Sequence, residues 1–404
     1  MILQDYLLPD DIQRHEVEFT GSGREYFRVW IVNVVLSVLT LGLFTPFARR
    51  RTIQYFYGHT LVAGHPLEFT AHQRKMVFGF LVIFGFYAAW QIAERTGQDT
   101  VSSLFALSLA LLAPYLWASA QRFRLGSTRW RGVRLAFTAS WSEVYKASWP
   151  VFAIALLWIA LSFLIGQYFG EAPAGGLRPP KLEAGGELPV GLLGLVGFAL
   201  TVLCLIRLEF NYRSLLVRRT RVGDQAGRFK PEFGDFVRVG LATAGVFLLG
   251  VAVVVALAGA LGMLIPGALQ RSGSPNPVAV ILWMVLVSVL VVVGLFVASL
   301  PARAYREAKL FQLVWNNVGL AQSVRTKTRL RTGSFVGLRL KNMLLTLLTL
   351  GLYRPFAMAS EYRAKADSLA IYIKGSRDRF VGRQASAEGS VADALADALG
   401  LGVI

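Results

Sequence analysis

Four side chains that can bind metals lie close together in the sequence. His59, His65, Glu68 and His72 fall within residues 59–72. Their spacing matches no familiar metal-binding motif, and histidines in a solvated loop are far more common than such a site. The single cysteine, Cys204, lies in an apolar run, so there is neither a disulfide framework nor a cysteine-based metal site. We therefore predict no metal and no cofactor.

The long apolar runs of the sequence carry almost no groups that could do chemistry. The middles of the six runs described below contain no Asp, Glu, Lys, Arg or His, and Gln91 and Gln167 join scattered Ser and Thr as the polar residues there. Ion-coupled transporters usually need an ionisable group within the membrane, and no Walker A loop is present. We predict that the protein is not an enzyme and not a coupled pump. A passive pore, a lipid path and a packing role all remain open.

One apolar motif occurs twice, near the two ends of the chain. Residues 29–48 and 338–357 share an Asn, a Thr-Leu-Gly-Leu box and a Pro-Phe-Ala ending, at a constant offset of 309 positions. Composition alone explains such a match poorly. The candidate functional or packing positions are Asn33, Thr40, Gly42, Pro46, Asn342, Thr349, Gly351 and Pro355.

The depth of the two motifs in the membrane has two interpretations. Each is short, and its Gly and Pro interrupt the last helical turns. Both copies are either ordinary spans running in opposite directions or re-entrant segments with both flanks on one side. An unsatisfied amide is costly in hydrocarbon, so Asn33 and Asn342 must find partners. The partner is either a neighbouring helix, which would fix the packing, or a ligand in a shared cavity.

The composition is that of a membrane protein. Hydrophobic residues make up 54% of the 404 residues, charged residues 16%, and the mean hydropathy is +0.51. Six apolar runs approach or exceed the ~20 residues that a bilayer crossing needs; they cover residues 76–93, 101–120, 149–169, 189–206, 239–265 and 278–300. We predict a polar N-terminal tail (1–28), one membrane domain with internal repeats (29–358) and a C-terminal tail (359–404).

The positive charges lie on one side of these runs. The four long loops contain 26 Lys and Arg residues, and the three connections on the opposite side contain 4. Basic loops stay in the cytoplasm, so the opposite connections, including residues 171–188, are predicted to be external. The net charge of +18 is explained in this way without nucleic acid. Arg129, Trp130 and Arg131 are predicted to contact anionic lipid headgroups, although RNA-binding proteins also combine such side chains.

The basic loops contain a fainter repeat. Thr60 and Thr128 are each followed by a Gly four residues later and a Phe nine residues later. This pattern is typical of short β-hairpins in which the Gly supplies the turn. The predicted fold class is therefore an all-α polytopic membrane protein with six transmembrane helices, two motif segments that span or are re-entrant, and short hairpins in its cytoplasmic loops.

These motifs resemble those of a bacterial family. The two Thr-Leu-Gly boxes (residues 40–47 and 349–356) and the Thr-Arg-Trp-Arg-Gly stretch (128–132) are similar to the YjgN-like inner-membrane family of unknown function, from about residue 16 to residue 379. The chain differs in having Phe47 and Phe356 where the family has Trp. The resemblance implies a multi-pass protein of the bacterial inner membrane and supplies no reaction. From the residues we predict passive transport of a small molecule or lipid; the alternative is a non-catalytic scaffold or envelope-stress partner.

Overall fold

The chain forms five successive units in which two helices, or three in the third unit, connect two antiparallel strands. The computed structural model describes residues 12–169, 186–223, 225–270, 277–320 and 324–374, with helix backbone only at 262–270, 277 and 279–280. The predicted external connection 171–188 lies almost wholly outside these residues. The elements are β1 (Ile12–Phe19), α1 (Gly23–Leu39), α2 (Thr45–Gly58), β2 (Thr60–Val62), β3 (His65–Phe69), α3 (Gln73–Arg95), α4 (Asp99–Gly126), β4 (Thr128–Trp130), β5 (Val133–Phe137), α5 (Trp141–Ala147), α6 (Trp149–Gly166), α7 (Glu187–Arg219), β6 (Thr220–Val222), β7 (Gln225–Phe229), α8 (Phe233–Gln270), α9 (Pro277–Trp315), β8 (Val318–Leu320), β9 (Val324–Thr328), α10 (Thr332–Leu348), α11 (Arg354–Ala366) and β10 (Leu369–Lys374).

The ten strands close into a single antiparallel barrel. Each strand pairs with its neighbours in the chain, and β1 completes the ring by pairing with both β2 and β10. Connections of only two or three residues join the strands of successive units. In two of these turns, Ala63-Gly64 and Arg131-Gly132, both residues have positive φ, which is the backbone of a type I′ hairpin turn.

The all-α fold class predicted from the sequence is therefore wrong. The barrel is built from strands of three to eight residues, and every second strand, from β2 to β8, has only three residues, fewer than the four over which period-2 alternation can be recognised. An isolated two-stranded hairpin is also marginal in water, whereas closure of the ring gives every strand two neighbours. The tails predicted at 1–28 and 359–404 contain β1 and β10, so both contribute to the closed barrel.

The six apolar runs form long helices. α3, α4, α6, α7, α8 and α9 contain stretches long and apolar enough to cross a membrane. Since the strands are antiparallel and successive units are connected at one rim by only two or three residues, the helices of all five units leave the barrel from the other rim. The barrel consists of the basic loops together with the two terminal strands, so the positive-inside rule predicts that it faces the cytoplasm.

Side chains fill the barrel interior. Trp130 and Val133 contact Val324 and Ile373, which lie on strands from the other side of the ring. Contacts between these strands must cross the lumen, so the barrel is a packed core and not a channel. A second cluster lies under the rim, where Phe19 stacks on Phe56 at 5.7 Å between ring centroids. The barrel is therefore a rigid base that positions the helix pairs.

Candidate functional site: two short helical hairpins

Each copy of the repeated motif folds into a short helical hairpin, α1–α2 in the first unit and α10–α11 in the last. Within each hairpin the asparagine of the first helix donates a hydrogen bond from Nδ2 to a carbonyl of the second helix. Asn33 binds the carbonyl of Ala48 and Asn342 that of Ala357, both at 3.3 Å. Both asparagines are buried, with 6% and 2% of their surfaces exposed. The structure thus gives each amide nitrogen a partner inside its own motif.

The threonine and glycine of the motif form the turn between the two helices. Thr40 Oγ1 donates to the carbonyl of Leu36 at 2.7 Å and accepts from the backbone N–H of Phe44 at 2.9 Å. Gly42 has φ +89° and donates to the carbonyl of Ser37 at 2.7 Å. This bond, five residues back, is the helix-ending pattern of a Schellman motif. The threonine therefore connects the end of the first helix to the start of the second.

The second copy repeats this geometry. Thr349 Oγ1 donates to the carbonyl of Leu345 at 2.7 Å and accepts from the N–H of Tyr353 at 2.9 Å, and Gly351 has φ +95°. Pro46 and Pro355 lie in the first turns of α2 and α11, where a missing N–H costs no hydrogen bond. All eight motif residues thus have a role in shaping the hairpin.

The tips of the two hairpins are strongly apolar and exposed. Leu41 and Leu350 are each 95% exposed, and the preceding Leu39 and Leu348 are 73% and 71% exposed. Exposed apolar tips of this kind are unfavourable in water and favourable in hydrocarbon. The apolar part of α1, residues 29–39, is only ~16 Å long at 1.5 Å per residue, about half of a ~30 Å hydrocarbon core. Both ends of each hairpin return to the same barrel rim, which favours the re-entrant interpretation over two opposite spans.

The two hairpins are neighbours in the ring, because β1 and β10 pair. Gly23 at the start of α1 lies against Phe356 of α11, where an added Cβ would come within 2.7 Å of the Phe356 ring. The rings of Phe27 and Phe356 are also in contact, tilted by 31° with their centroids 5.7 Å apart. Two half-length hairpins therefore occupy adjacent places between the full-length helices α3 and α9.

The second hairpin is held more firmly than the first. Asn342 Nδ2 also lies 2.9 Å from Ser360 Oγ and 3.2 Å from Glu361 Oε1, whereas Asn33 Oδ1 is buried without a hydrogen-bond partner among the described residues. Glu307 of α9 forms ion pairs with Lys365 and with Arg339. Burial, with a smaller contribution from Arg339, lowers the pKa of Lys365. These ion pairs tie α10–α11 to the neighbouring long helix.

An amphipathic cavity of about 430 Å³ flanks the first hairpin, between α2 and the start of α3. Leu36, Phe44 and Phe47 form its apolar wall, and its polar wall comprises Arg50, Arg51, Gln54 and Gln73. Arg50 Nε and Gln73 Nε2 are buried, and neither finds a hydrogen-bond partner in the part of the chain that the structure describes. Such a cavity can take a ligand with both a polar, anionic part and an apolar part.

The remaining predicted site residues belong to the barrel. Trp130 is 8% exposed, lies in the barrel core and donates from Nε1 to the carbonyl of Val62 at 3.0 Å, so its indole is held away from any headgroup. Arg129 lies on the outer face of β4, and Arg131 occupies a turn position with φ +50°. His59, from the predicted histidine cluster, bonds through Nδ1 to the carbonyl of Tyr55 at 2.8 Å. No group of three or more potential metal ligands comes together among the described residues.

Sequence reasoning missed the amphipathic cavity and the ion pairs around Glu307. Their residues come from separate helices and share no motif. The only available signal was the basic Arg49-Arg50-Arg51 run directly after the first motif.

Comparison with known proteins identifies a family and several inner-membrane relatives. A family model described as "Bacterial protein of unknown function (DUF898)" matches residues 14–398. The inner membrane protein YjgN of Escherichia coli O157:H7 is 29% identical over 147 residues, and that of Salmonella typhimurium strain LT2 is 25% identical over 156. These alignments span 36% and 38% of this chain and the same shares of the relatives. No solved structure matches.

These findings confirm the resemblance noted in the sequence. The names of the relatives, together with six helices able to cross a membrane, place the protein in the bacterial inner membrane as a multi-pass protein. The chain belongs to the DUF898 family of bacterial proteins of unknown function.

Proposed function

We propose that this protein lets phospholipids move passively between the two leaflets of the inner membrane. The observation that carries the proposal is the pair of adjacent half-length hairpins with apolar tips. The tips would end near the bilayer centre, and the described residues of these two units place no helix in the outer half of the membrane. Lipids fill that space, and the bilayer there is bounded by α3 and α9 on the sides and by the hairpins below.

The amphipathic cavity supports a lipid as the moving molecule. An anionic headgroup fits the unpartnered polar atoms of Arg50 and Gln73, because charge-assisted hydrogen bonds to phosphate are strong. An acyl chain fits the apolar wall formed by Leu36, Phe44 and Phe47. The cavity lies on the flank of the first hairpin, where a lipid of the cytoplasmic leaflet would enter.

A water-filled pore for solutes is a weaker explanation. The barrel below the helices is filled, and in each of the six long helices at most 11% of the apolar window is buried within the protein. Helices that are exposed and apolar on almost every side contact lipid instead of lining an aqueous path. The lack of ionisable residues in the middles of the apolar runs also supports passive movement without catalysis. The partner in this proposal is the bilayer with its anionic headgroups, not nucleic acid.

Reconstitution into liposomes tests the proposal. Fluorescent phospholipid in both leaflets is bleached from outside with a membrane-impermeant reductant, and the fraction bleached reports transfer from the inner leaflet. We expect wild-type protein to bleach lipid of both leaflets, and Arg50→Glu combined with Gln73→Leu to slow the transfer about tenfold. Lys374→Gln, on the barrel strand β10 away from the cavity, is the matched control. Wild-type liposomes that behave like protein-free liposomes would overturn the proposal.

A scaffold role is the second candidate. The exposed faces of the long helices could equally be covered by helices of a partner protein. Two experiments distinguish the two functions: the lipid-transfer assay in liposomes, and identification of the proteins that are extracted together with this one in native lipid discs. A stoichiometric protein partner in the discs, with no lipid transfer and no leakage of an entrapped dye in liposomes, would favour the scaffold.

A further inference from the structure

A second cavity, of about 460 Å³, lies outside the membrane-facing part of the protein. It is bounded by the start of α3, the end of α4 and the outer face of β4 and β5. Four cationic side chains line it, Lys75, Arg122, Arg129 and Arg134, and no carboxylate is among the described residues that line it. Like charges gathered around one cavity repel each other, and a bound anion removes that repulsion.

Three of the four cations that line this basic cavity have no carboxylate partner among the described residues. Lys75, Arg122 and Arg129 form no ion pair with any residue that the structure describes. Glu68 is the cross-strand neighbour of Arg129, yet no ion pair forms between them. Arg129 Nε is buried and has no hydrogen-bond partner among the described residues. A buried guanidinium N–H without an acceptor is unfavourable, so this atom is suited to bind an acceptor from solution.

One of the cations is held rigidly in place. Arg122 donates to the carbonyl of Ala139 at 2.6 Å, and its guanidinium stacks over the Trp141 ring at 3.8 Å from the centroid. A side chain fixed by its surroundings loses little entropy when it binds a ligand. Arg122 is therefore preorganised at one wall of the cavity.

The start of α3 adds partial positive charge to the same cavity. His72 is the N-cap residue of α3, its side chain forms no capping hydrogen bond, and both His72 and Lys75 line the cavity. The backbone N–H groups of a first helical turn and the helix dipole favour anions. The helix start thus reinforces the four cationic side chains.

We propose that the basic cavity binds a phosphate group. Arginine forks bind phosphate oxygens in pairs, and phosphate carries enough charge to balance several cations. The volume exceeds that of a phosphate ion, so there is room for an attached organic group, either a soluble phosphate monoester or the headgroup of an anionic phospholipid. The site lies beside the barrel, separate from the amphipathic cavity, and does not depend on lipid movement.

The test uses the full-length protein in neutral detergent. Inorganic phosphate is titrated against a chloride control of equal ionic strength, and binding is followed by calorimetry. In a second arm, native mass spectrometry compares retention of phosphatidic acid with that of phosphatidylcholine. Both arms compare wild type with Arg129→Gln and Lys75→Gln. The matched control is Arg221→Gln, since Arg221 follows the first threonine of β6 as Arg129 follows that of β4 and does not line this cavity.

We expect Arg129→Gln and Lys75→Gln each to weaken binding at least tenfold while Arg221→Gln leaves it within twofold. If inorganic phosphate shows this pattern, the ligand is a soluble phosphate compound; if only phosphatidic acid shows it, the ligand is a lipid headgroup. The proposal is overturned if neither probe binds the wild type, or if Arg221→Gln weakens binding as much as Arg129→Gln, because the attraction would then come from the overall positive charge.

Discussion

Removal of the two motif asparagines should destabilise the protein by unequal amounts. Asn33 donates one hydrogen bond, to the carbonyl of Ala48, whereas Asn342 has three acceptors within 3.3 Å of Nδ2. An amide nitrogen carries two hydrogens, so Asn342 satisfies two acceptors at a time. A neutral hydrogen bond contributes about 1 kcal/mol, and one to a charged group about 1.5–3 kcal/mol. We therefore expect Asn33→Ala to cost about 1 kcal/mol and Asn342→Ala about 3 kcal/mol.

The assay is thermal unfolding of each variant in the same detergent, at identical protein and lipid concentrations. The expected result is a fall in the unfolding midpoint about three times larger for Asn342→Ala than for Asn33→Ala. Ser360→Ala, which removes one acceptor of Asn342, should give an intermediate fall. Equal shifts, or a larger shift for Asn33→Ala, would refute the hydrogen-bond reasoning. An unchanged midpoint with reduced lipid transfer would show that Asn342 contacts a ligand instead of the neighbouring helix.

Three further predictions concern the turn, the barrel and acid stability. Gly42→Ala should cost about 1–2 kcal/mol of stability, seen as a lower thermal midpoint, because Gly42 has positive φ. Gly58→Ala, at a helical position with open space around it, should not lower the midpoint. Trp130→Ala should cost about 3–5 kcal/mol, measured by denaturant titration, since it removes a large side chain from the barrel core. The Ser140 backbone N–H holds the pKa of Glu143 below its usual 4.5. The stabilisation of the fold by the ionised Glu143 carboxylate is therefore fully present above pH 4.5 and is lost as the pH falls through the lowered pKa. Glu143→Gln should make the midpoint less sensitive to pH in that acidic range.

The long helices were predictable from the sequence, and the barrel was not. A helix of twenty apolar residues carries its own signal, because its length and composition meet the requirement of the bilayer. The strands obtain their stability from partners far away in the chain: Ile12 pairs with Lys374, and no local pattern relates the two segments. The hairpin turns at Gly64 and Gly132 were visible because positive φ favours glycine, but their assembly into a ring depends on all five units.

The candidate site was predictable only in part. The repeat identified the eight motif residues of the two hairpins, because the same residue type recurs at each of these positions in both copies. The hydrogen-bond partner of each asparagine became clear only from the folded pair of helices. Trp130 was assigned to headgroups from its basic neighbours; alternation along β4 points it inward instead and leaves Arg129 outside. The two cavities combine residues from several elements, so no spacing in the sequence could reveal them.

The depth of the Leu41 tip tests the central claim most directly. A spin label is attached to the cysteine of a Leu41→Cys, Cys204→Ala variant in liposomes. The exposure of this label to lipid-soluble oxygen is compared with its exposure to a water-soluble nickel complex. The account predicts a label near the bilayer centre, high in oxygen and low in nickel exposure, that an impermeant thiol reagent outside intact cells does not reach. Labelling of that cysteine from outside would show that the motif crosses the membrane and would contradict the half-length hairpin on which the proposed lipid path depends.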